Sequence, residues 1–590
     1  MRRFSLTSSL LAMLLASGCA SAPNVSYLLP AQPESASGYA EKSGWATQKF
    51  AVAAAHPLAA DAGYRVLQAG GSALDAAIAV QMVLALVEPQ SSGIGGGALL
   101  LHWDGKQVEA YDGRETAPLA ADDRLFLTPD GKPMAFMDAV VGGRPVGTPG
   151  VVKMLEMAHR QHGRLAWAKL FEPAIALAEQ GFPVSPRLHT LLSNETRLRH
   201  DPAAQRYFYD AEGKPWPAGH LLKNPELAVV LKQIAAAGSS ALMTGPVAAD
   251  IVAKVRNHPT NPGRLSVQDL ADYQPKRRAA LCTDWLTYRV CGFPPPSSGA
   301  IAIAQILGML QHAAPIDRPL EQGMPSVDML HRYSEAARLA FADRNQYLAD
   351  PDFVAAPGGN WMNLVDAAYL RQRAALIGAS SMKSAEPGKP GGLDTAWAPQ
   401  AEQVEHGTSH ISIVDAAGHA LAMTTTIEDG FGARQMVHGF LLNNQLTDFS
   451  FAPADAAGKP IANRVEAGKR PRSSMSPTLV FDRGSGQLSM SLGSPGGALI
   501  IHYTAKTLLG TLAWGLDAQA AIDLPNFGSL NGPTLLEAQR FPAATIAALK
   551  ARGHEVQEMP MVSGLQAIQR TPTGYFGGAD PRREGIVRGE

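Results

Sequence analysis

The sequence predicts a single large α+β unit, and three observations carry that expectation. Apolar residues recur at helical spacing through an early segment and again from Pro149 to about Leu281. Two stretches read as β-hairpins, one around Cys282 and Cys291 and a longer one from Thr408 to Ile427. A chain of 590 residues with 57 Gly, 43 Pro and 46% hydrophobic residues is rich in turns yet far too apolar for disorder, and no repeat or long low-complexity spacer divides it.

The first segment is a leader rather than part of the fold. Met1-Arg2-Arg3, an apolar run around Leu10 to Leu15 and then Ala16-Ser17-Gly18-Cys19 follow the charged, apolar, small-residue order of a secretory signal. Residues 1–18 are expected to be a lipoprotein-type signal peptide that leaves Cys19 lipidated; ordinary cleavage near Ala20-Ser21-Ala22 is the alternative. No later apolar run approaches the ~20 residues of a membrane span. The expected location is the periplasm or cell envelope of a bacterium, with any membrane contact through the lipid. Lys+Arg and Asp+Glu number 51 and 52, so the formal charge of -1 gives no broad field for nucleic acid or anionic membrane.

From Ala51 to Leu86 the pattern is mostly helical. Leu58, Ala62, Val66 and Ala69 repeat after Pro57, and a second small-residue helix starts at Ser72. The glycine run Ser91 to Ala98 leads into an apolar strand at Leu99 to Trp103; it precedes a strand and lacks a Lys-Ser/Thr pair, which argues against a phosphate loop. Ser266 with Asp269 three residues on marks a helix start. Pro294 to Gly299 breaks the chain before an amphipathic helix through Ile303, Ile306 and Leu307. Cys282 and Cys291 flank a short hairpin and are either bridged or buried as free thiols; neither is given a catalytic role.

Residues 378–407 collect Ser, Gly, Pro and Ala without a period and read as an exposed, pliable connector. Directly after it, Thr408 to Asp415 alternates polar and apolar, turns at Ala416-Ala417-Gly418 and returns from His419 to Ile427. A hydroxyl at the start of such a strand becomes a nucleophile when the chain is cut before it. The new α-amine, with a reference pKa of ~7.7–8.0, serves as the base on the same residue. Before the cut, the Thr408 hydroxyl can attack the Gly407 carbonyl, and glycine eases that approach. Other hydrolase signals fall away: Ser380-Ser381-Met382-Lys383 lies in the connector with no partner motif, and His554-Glu555 lacks a second His. No metal and no cofactor are expected.

The chain resembles the γ-glutamyltranspeptidase family over nearly all of its mature length. The resemblance rests on Gly407-Thr408-Ser409-His410, on Leu441 to Gln445 with Asp448-Phe449-Ser450, and on Gly468 to Thr478. Gly493 to Gly497, Asp112 to Pro118 and Ala579 to Arg582 extend it. It implies the four-layer αββα sandwich of N-terminal-nucleophile hydrolases, cut into a large subunit, 19–407, and a small catalytic subunit, 408–590, that remain together as a heterodimer. Carried over by position, Thr408 is nucleophile and base, and Thr426 orients it. Arg114 meets the substrate α-carboxylate with Ser473 and Ser474, Gln445 and Asp448 receive the α-ammonium, and the amides of Gly496 and Gly497 stabilise the oxyanion. The implied reaction is cleavage of γ-glutamyl amides such as glutathione through a γ-glutamyl-Thr ester, resolved by water or an acceptor amine.

Two departures bear on specificity. Glu428 stands where better-known members often have Asn touching the substrate amino group; as a substrate-binding residue its carboxylate either pairs with that ammonium or alters the preferred acyl group. The segment between Asp448 and Ser473 has no Tyr to act as a gate, only Phe449 and Phe451 nearby. An acylase acting on glutaryl or cephalosporin-type amides with the same Thr is the alternative, and a non-catalytic envelope binding protein is the alternative of another class.

Overall fold

The computed structural model describes residues 36–313, 320–392, 395–401, 403 and 407–590; the leader and Cys19 lie outside the described residues. Fourteen strands build the centre: β1 (Trp45–Thr47), β2 (Ala51–Ala54), β3 (Gly97–Trp103), β4 (Val108–Asp112), β5 (Lys276–Ala279), β6 (Leu281–Trp285) and β7 (Tyr288–Gly292) come before the connector. After it come β8 (Ser409–Val414), β9 (Ala420–Thr426), β10 (Thr478–Asp482), β11 (Leu488–Gly493), β12 (Gln566–Thr571), β13 (Gly574–Ala579) and β14 (Ile586–Gly589). They form two antiparallel sheets of seven strands, ordered β14-β2-β8-β9-β3-β4-β5 and β1-β13-β12-β11-β10-β7-β6.

Side-chain alternation explains the layers. In the first sheet Val52, Leu100, Ile411, Ile413, Leu421 and Met423 point outward and pack under helices α1 (Pro57–Gln68), α2 (Ala73–Val87) and α3 (Val151–His162). The alternate residues Ala53, Leu99, Leu101, Val414 and Ala422 face inward and meet Leu479, Phe481 and Ile568 of the second sheet. That sheet's other face, with Val480, Met490 and Leu492, is covered by α4 (Gly299–Ala313), α5 (Val327–Tyr347) and α6 (Ile500–Leu508). Helix, sheet, sheet, helix is the expected αββα order.

Several local expectations are met. Ser72 caps α2 in a capping box with Asp75, and Ser266 does the same with Asp269. The hairpin after the connector pairs Ser409 with Thr425 through to Val414 with Ala420. Cys282 and Cys291 are directly opposed on β6 and β7 and joined by a disulfide.

Others are corrected. Ala51 to Ala54 is a strand, not the start of a helical stretch. It is buried on both faces, so its sequence is continuously apolar and carries no period to read. The helical region before Leu281 ends in the strand Lys276-Arg277-Arg278-Ala279, a charged edge to the first sheet. Several described residues of the connector are tied to the fold: Ala398 and Gln400 are buried, the Gly388 N–H donates to Asp343 Oδ1 at 2.8 Å, and the Gln400 N–H donates to the Asn345 carbonyl at 2.9 Å.

Candidate active site

The start of β8 is fixed from both sides. Ser409 donates its hydroxyl to Glu88 Oε2 at 2.7 Å, and Glu88 in turn holds the buried Arg187 guanidinium at 2.5 Å. This clamp sets the position of the preceding peptide. Gly407 has φ +31°, in the left-handed region, and a Cβ there would stand 2.2 Å from the Glu428 carbonyl. Only glycine fits without displacing backbone.

Two hydroxyls converge on the Gly407 carbonyl. Thr408 Oγ1 donates to it at 2.5 Å and Thr426 Oγ1 at 2.7 Å, while the Glu428 N–H donates to Thr426 Oγ1 at 2.8 Å. The last bond occupies a Thr426 lone pair and leaves its proton aimed at the carbonyl. β9 thus brings the Thr426 hydroxyl to the same carbonyl that the Thr408 hydroxyl meets.

Beside this peptide lies a small cleft bordered by Thr408, Thr426, Arg114, Gln445, Asp448, Ser473, Ser474 and Gly497. Arg114 follows the end of β4, where its N–H is capped by Asp112 Oδ1 at 2.9 Å. Its guanidinium is gripped by the carbonyls of Pro471 at 3.3 Å and Arg472 at 2.8 Å, and it forms an ion pair with Asp448. Gln445 Nε2 donates to the same Asp448 oxygen at 2.7 Å. Arg114 and Asp448, expected to serve opposite ends of a bound amino acid, therefore hold each other here.

Ser474 Oγ accepts from the buried Arg344 guanidinium of α5 at 2.7 Å, and Ser473 Oγ accepts from the Met475 N–H at 3.1 Å. Gly496 and Gly497, with φ of +131° and +57°, make the turn into α6, and Gly497 borders the cleft. Glu428 is buried with its carboxylate held by Asn444 and by the Thr447 hydroxyl at 3.1 Å, and it does not border the cleft. Phe451 stacks on Phe126 with ring centroids 4.6 Å apart, and Phe449 is buried in the same cluster, so these aromatics pack inward.

Two contributors were not singled out from sequence. Arg344 supports Ser474 from 130 residues away, a contact no local pattern encodes. Glu115, next to Arg114, is fully buried, and neither carboxylate oxygen has a hydrogen-bond partner among the described residues. Burial pushes its carboxyl up to about 8, against the pull of Arg114. Gly97 makes room for it: a Cβ there would lie 2.3 Å from Glu115 Oε2.

Two face-to-face antiparallel sheets between helical layers, with the cleft at the head of a central strand, define the αββα class of N-terminal-nucleophile hydrolases. The family model described as Gamma-glutamyltranspeptidase matches residues 59–589, and the chain belongs to that family. It is 34% identical over 552 residues to the glutathione hydrolase proenzyme of Bacillus subtilis strain 168, covering 91% of each chain. It is also 34% identical over 535 residues to the acylase ACY 1 proenzyme of Pseudomonas sp. strain SE83, covering 89% of this chain and 90% of the relative. Among solved structures, cephalosporin acylase from Bacillus halodurans superposes with a TM-score of 0.80 at 26% identity, over 95% of this chain and 99% of the other.

Proposed function

We propose that this chain is a precursor that cuts itself between Gly407 and Thr408, and that the product transfers the γ-glutamyl group of glutathione-type amides to water or an acceptor amine. The observation that carries the reading is the pair of hydroxyls, Thr408 and Thr426, converging on the Gly407 carbonyl. In the cutting step Thr408 Oγ1 bonds to the Gly407 carbonyl carbon, the Gly407–Thr408 C–N bond breaks, and the hydroxyl proton passes to the leaving nitrogen. Water then hydrolyses the ester. Thr426 supports the charge that develops on the carbonyl oxygen, the kind of donor whose removal costs ~10²–10³ in rate.

The cut halves stay associated because the first sheet is woven from both. β8 lies between β2, from the large portion, and β9, from the small one, while β14 closes the far edge against β2. After cleavage the Thr408 α-amine takes the hydroxyl proton as Oγ1 attacks the γ-carbonyl of the substrate, and returns a proton to the departing amine. The amides of Gly496 and Gly497 stabilise the oxyanion.

A γ-glutamyl amide presents a free α-amino acid end carrying one positive and one negative charge. Arg114 and Asp448 form the complementary pair, so the substrate exchanges one buried ion pair for two: its carboxylate with Arg114, aided by Ser473 and Ser474, and its ammonium with Asp448 and Gln445. Glu428 acts from behind, through Asn444 and Thr447. Lipidation at Cys19 would tether the heterodimer to the envelope membrane after export.

The equal identity to an acylase favours a second reading, in which the same Thr408 prefers an acyl group lacking the α-ammonium. Ratios of kcat/KM for γ-glutamyl and glutaryl anilides decide between them. The buried Asp448–Arg114 pair predicts preference for γ-glutamyl; a higher ratio for glutaryl would overturn it.

A further inference from the structure

The outer face of the first sheet carries a second cluster of chemistry-bearing side chains, none of which borders the cleft. His102 on β3 and Glu109 on β4 are directly opposite cross-strand partners, and His162, the last residue of α3, comes down over them. A ring nitrogen of each histidine and one Glu109 oxygen all lie within 4.8 Å of one another. His162 Nε2 is 2.7 Å from Glu109 Oε2 and 2.7 Å from the Tyr111 hydroxyl, which lies 2.8 Å from the same carboxylate oxygen. Arg277 pairs with the other oxygen.

His102 stands out. It is 1% exposed, and neither ring nitrogen has a hydrogen-bond partner among the described residues. Its ring lies 4.1 Å from that of His162. A buried imidazole with two unmet nitrogens is an unexplained cost unless something else meets one of them. A comparable cluster elsewhere makes the contrast. His331 Nδ1 bonds His554 Nε2 at 2.7 Å, His331 Nε2 meets the Gly378 carbonyl at 2.8 Å, and His554 Nδ1 meets Thr534 Oγ1 at 2.7 Å. Glu335 there accepts from Arg338 and from the Met382 N–H. Those groups satisfy one another and ask for no ion.

We propose that His102, Glu109 and His162 form a three-ligand site for a divalent transition cation of the zinc type, binding β3, β4 and the end of α3 together. Two imidazoles and a carboxylate suit such an ion, with a fourth position left for water. Tyr111 and Arg277 remain as partners of the carboxylate, the outer support that such ligands usually have. The His162 side chain is 14% exposed and gives the ion its route in. Sequence could not show the site, because its ligands are 7 and 53 residues apart and come from two strands and a helix end.

The test uses the purified full chain, stripped with a chelator and titrated with Zn²⁺ alone by calorimetry, then with Co²⁺ by absorbance. The expected result is one equivalent bound per chain, with the intense visible bands of four-coordinate cobalt and a raised melting temperature. His102→Gln and His162→Gln are each expected to weaken binding about tenfold or more, while His438→Gln, at a partly exposed His–Asp pair, leaves it unchanged. His162 is at a helix end, so its variant tests the site even where the buried His102 substitution fails to fold. No bound equivalent, or binding that survives His162→Gln, overturns the proposal.

Discussion

Arg114 and Asp448 hold each other across the cleft, with side chains only 1% and 8% exposed, although 334 residues separate them in the chain. The pair keeps two opposite charges side by side and nearly dry, an arrangement that a zwitterionic ligand end can take over. Removing one member of such a pair strands the other, at a cost of about 3–5 kcal/mol. Arg114→Lys retains the charge but loses the planar fork gripped by Pro471 and Arg472. It is expected to lower kcat/KM for a γ-glutamyl anilide by about 100-fold, equivalent to about 2.7 kcal/mol, with most of the loss in KM. Unchanged KM would remove Arg114 from carboxylate recognition.

Thr426→Val keeps the shape of β9 and deletes the second donor to the Gly407 carbonyl. Self-cleavage is expected to slow by about 10²–10³ while the thermal melt of the uncut chain stays close to that of uncut Thr408→Ala. Processing at the native rate would mean that Thr426 does not support the carbonyl.

Gly407→Ala places a methyl group against the Glu428 carbonyl in a backbone conformation that L residues avoid. The expected outcome is a precursor that folds and accumulates uncut, followed by gel electrophoresis over time. Rapid, complete cleavage of this variant would show that the strained glycine peptide is not what positions the attack.

Glu115 links stability to pH. Its carboxyl titrates near 4.5 when free and near 8 when buried beside Arg114. Between those values the unfolded chain has released a proton that the folded chain retains, so this group makes stability fall as pH rises from about 4.5 to about 8, and its effect is constant above. Glu115→Gln removes the titration. Denaturant unfolding at pH 5 and pH 8.5 is expected to show the variant gaining on the wild type at the higher pH; a difference that does not change with pH would contradict the burial argument.

The disulfide between Cys282 and Cys291 closes a loop of about ten residues, for which chain entropy gives about 2–3 kcal/mol. Cys282→Ala with Cys291→Ala is expected to lower the melting temperature by a few degrees without changing anilide release, since the hairpin lies at the edge of the second sheet and neither cysteine borders the cleft. Loss of activity at unchanged stability would show that the hairpin reaches the site.

Much of this was legible in sequence where a local pattern existed. The hairpin from Thr408 was readable because its two runs alternate and a Gly-containing turn separates them, and the caps at Ser72 and Ser266 because side chain and acceptor are three residues apart. What escaped had no local pattern. Ala51 to Ala54 is buried on both faces and so shows no alternation. The partnership of β2 with β14 joins residues more than 500 positions apart. The motif around Arg114 points to a ligand carboxylate, and only the fold reveals that Asp448, 334 residues on, already pairs with it. The bonds that Asn444 and Thr447 make to the Glu428 carboxylate join residues 16 and 19 positions apart, and no local pattern encodes them.

The most direct test of the central claim is intact mass and N-terminal sequencing of the purified chain, incubated alone and then with a γ-glutamyl anilide. Two fragments are expected, the smaller beginning at Thr408, with release of the anilide in step with their appearance. A chain that remains whole, or that releases the anilide without ever exposing Thr408, would contradict that claim.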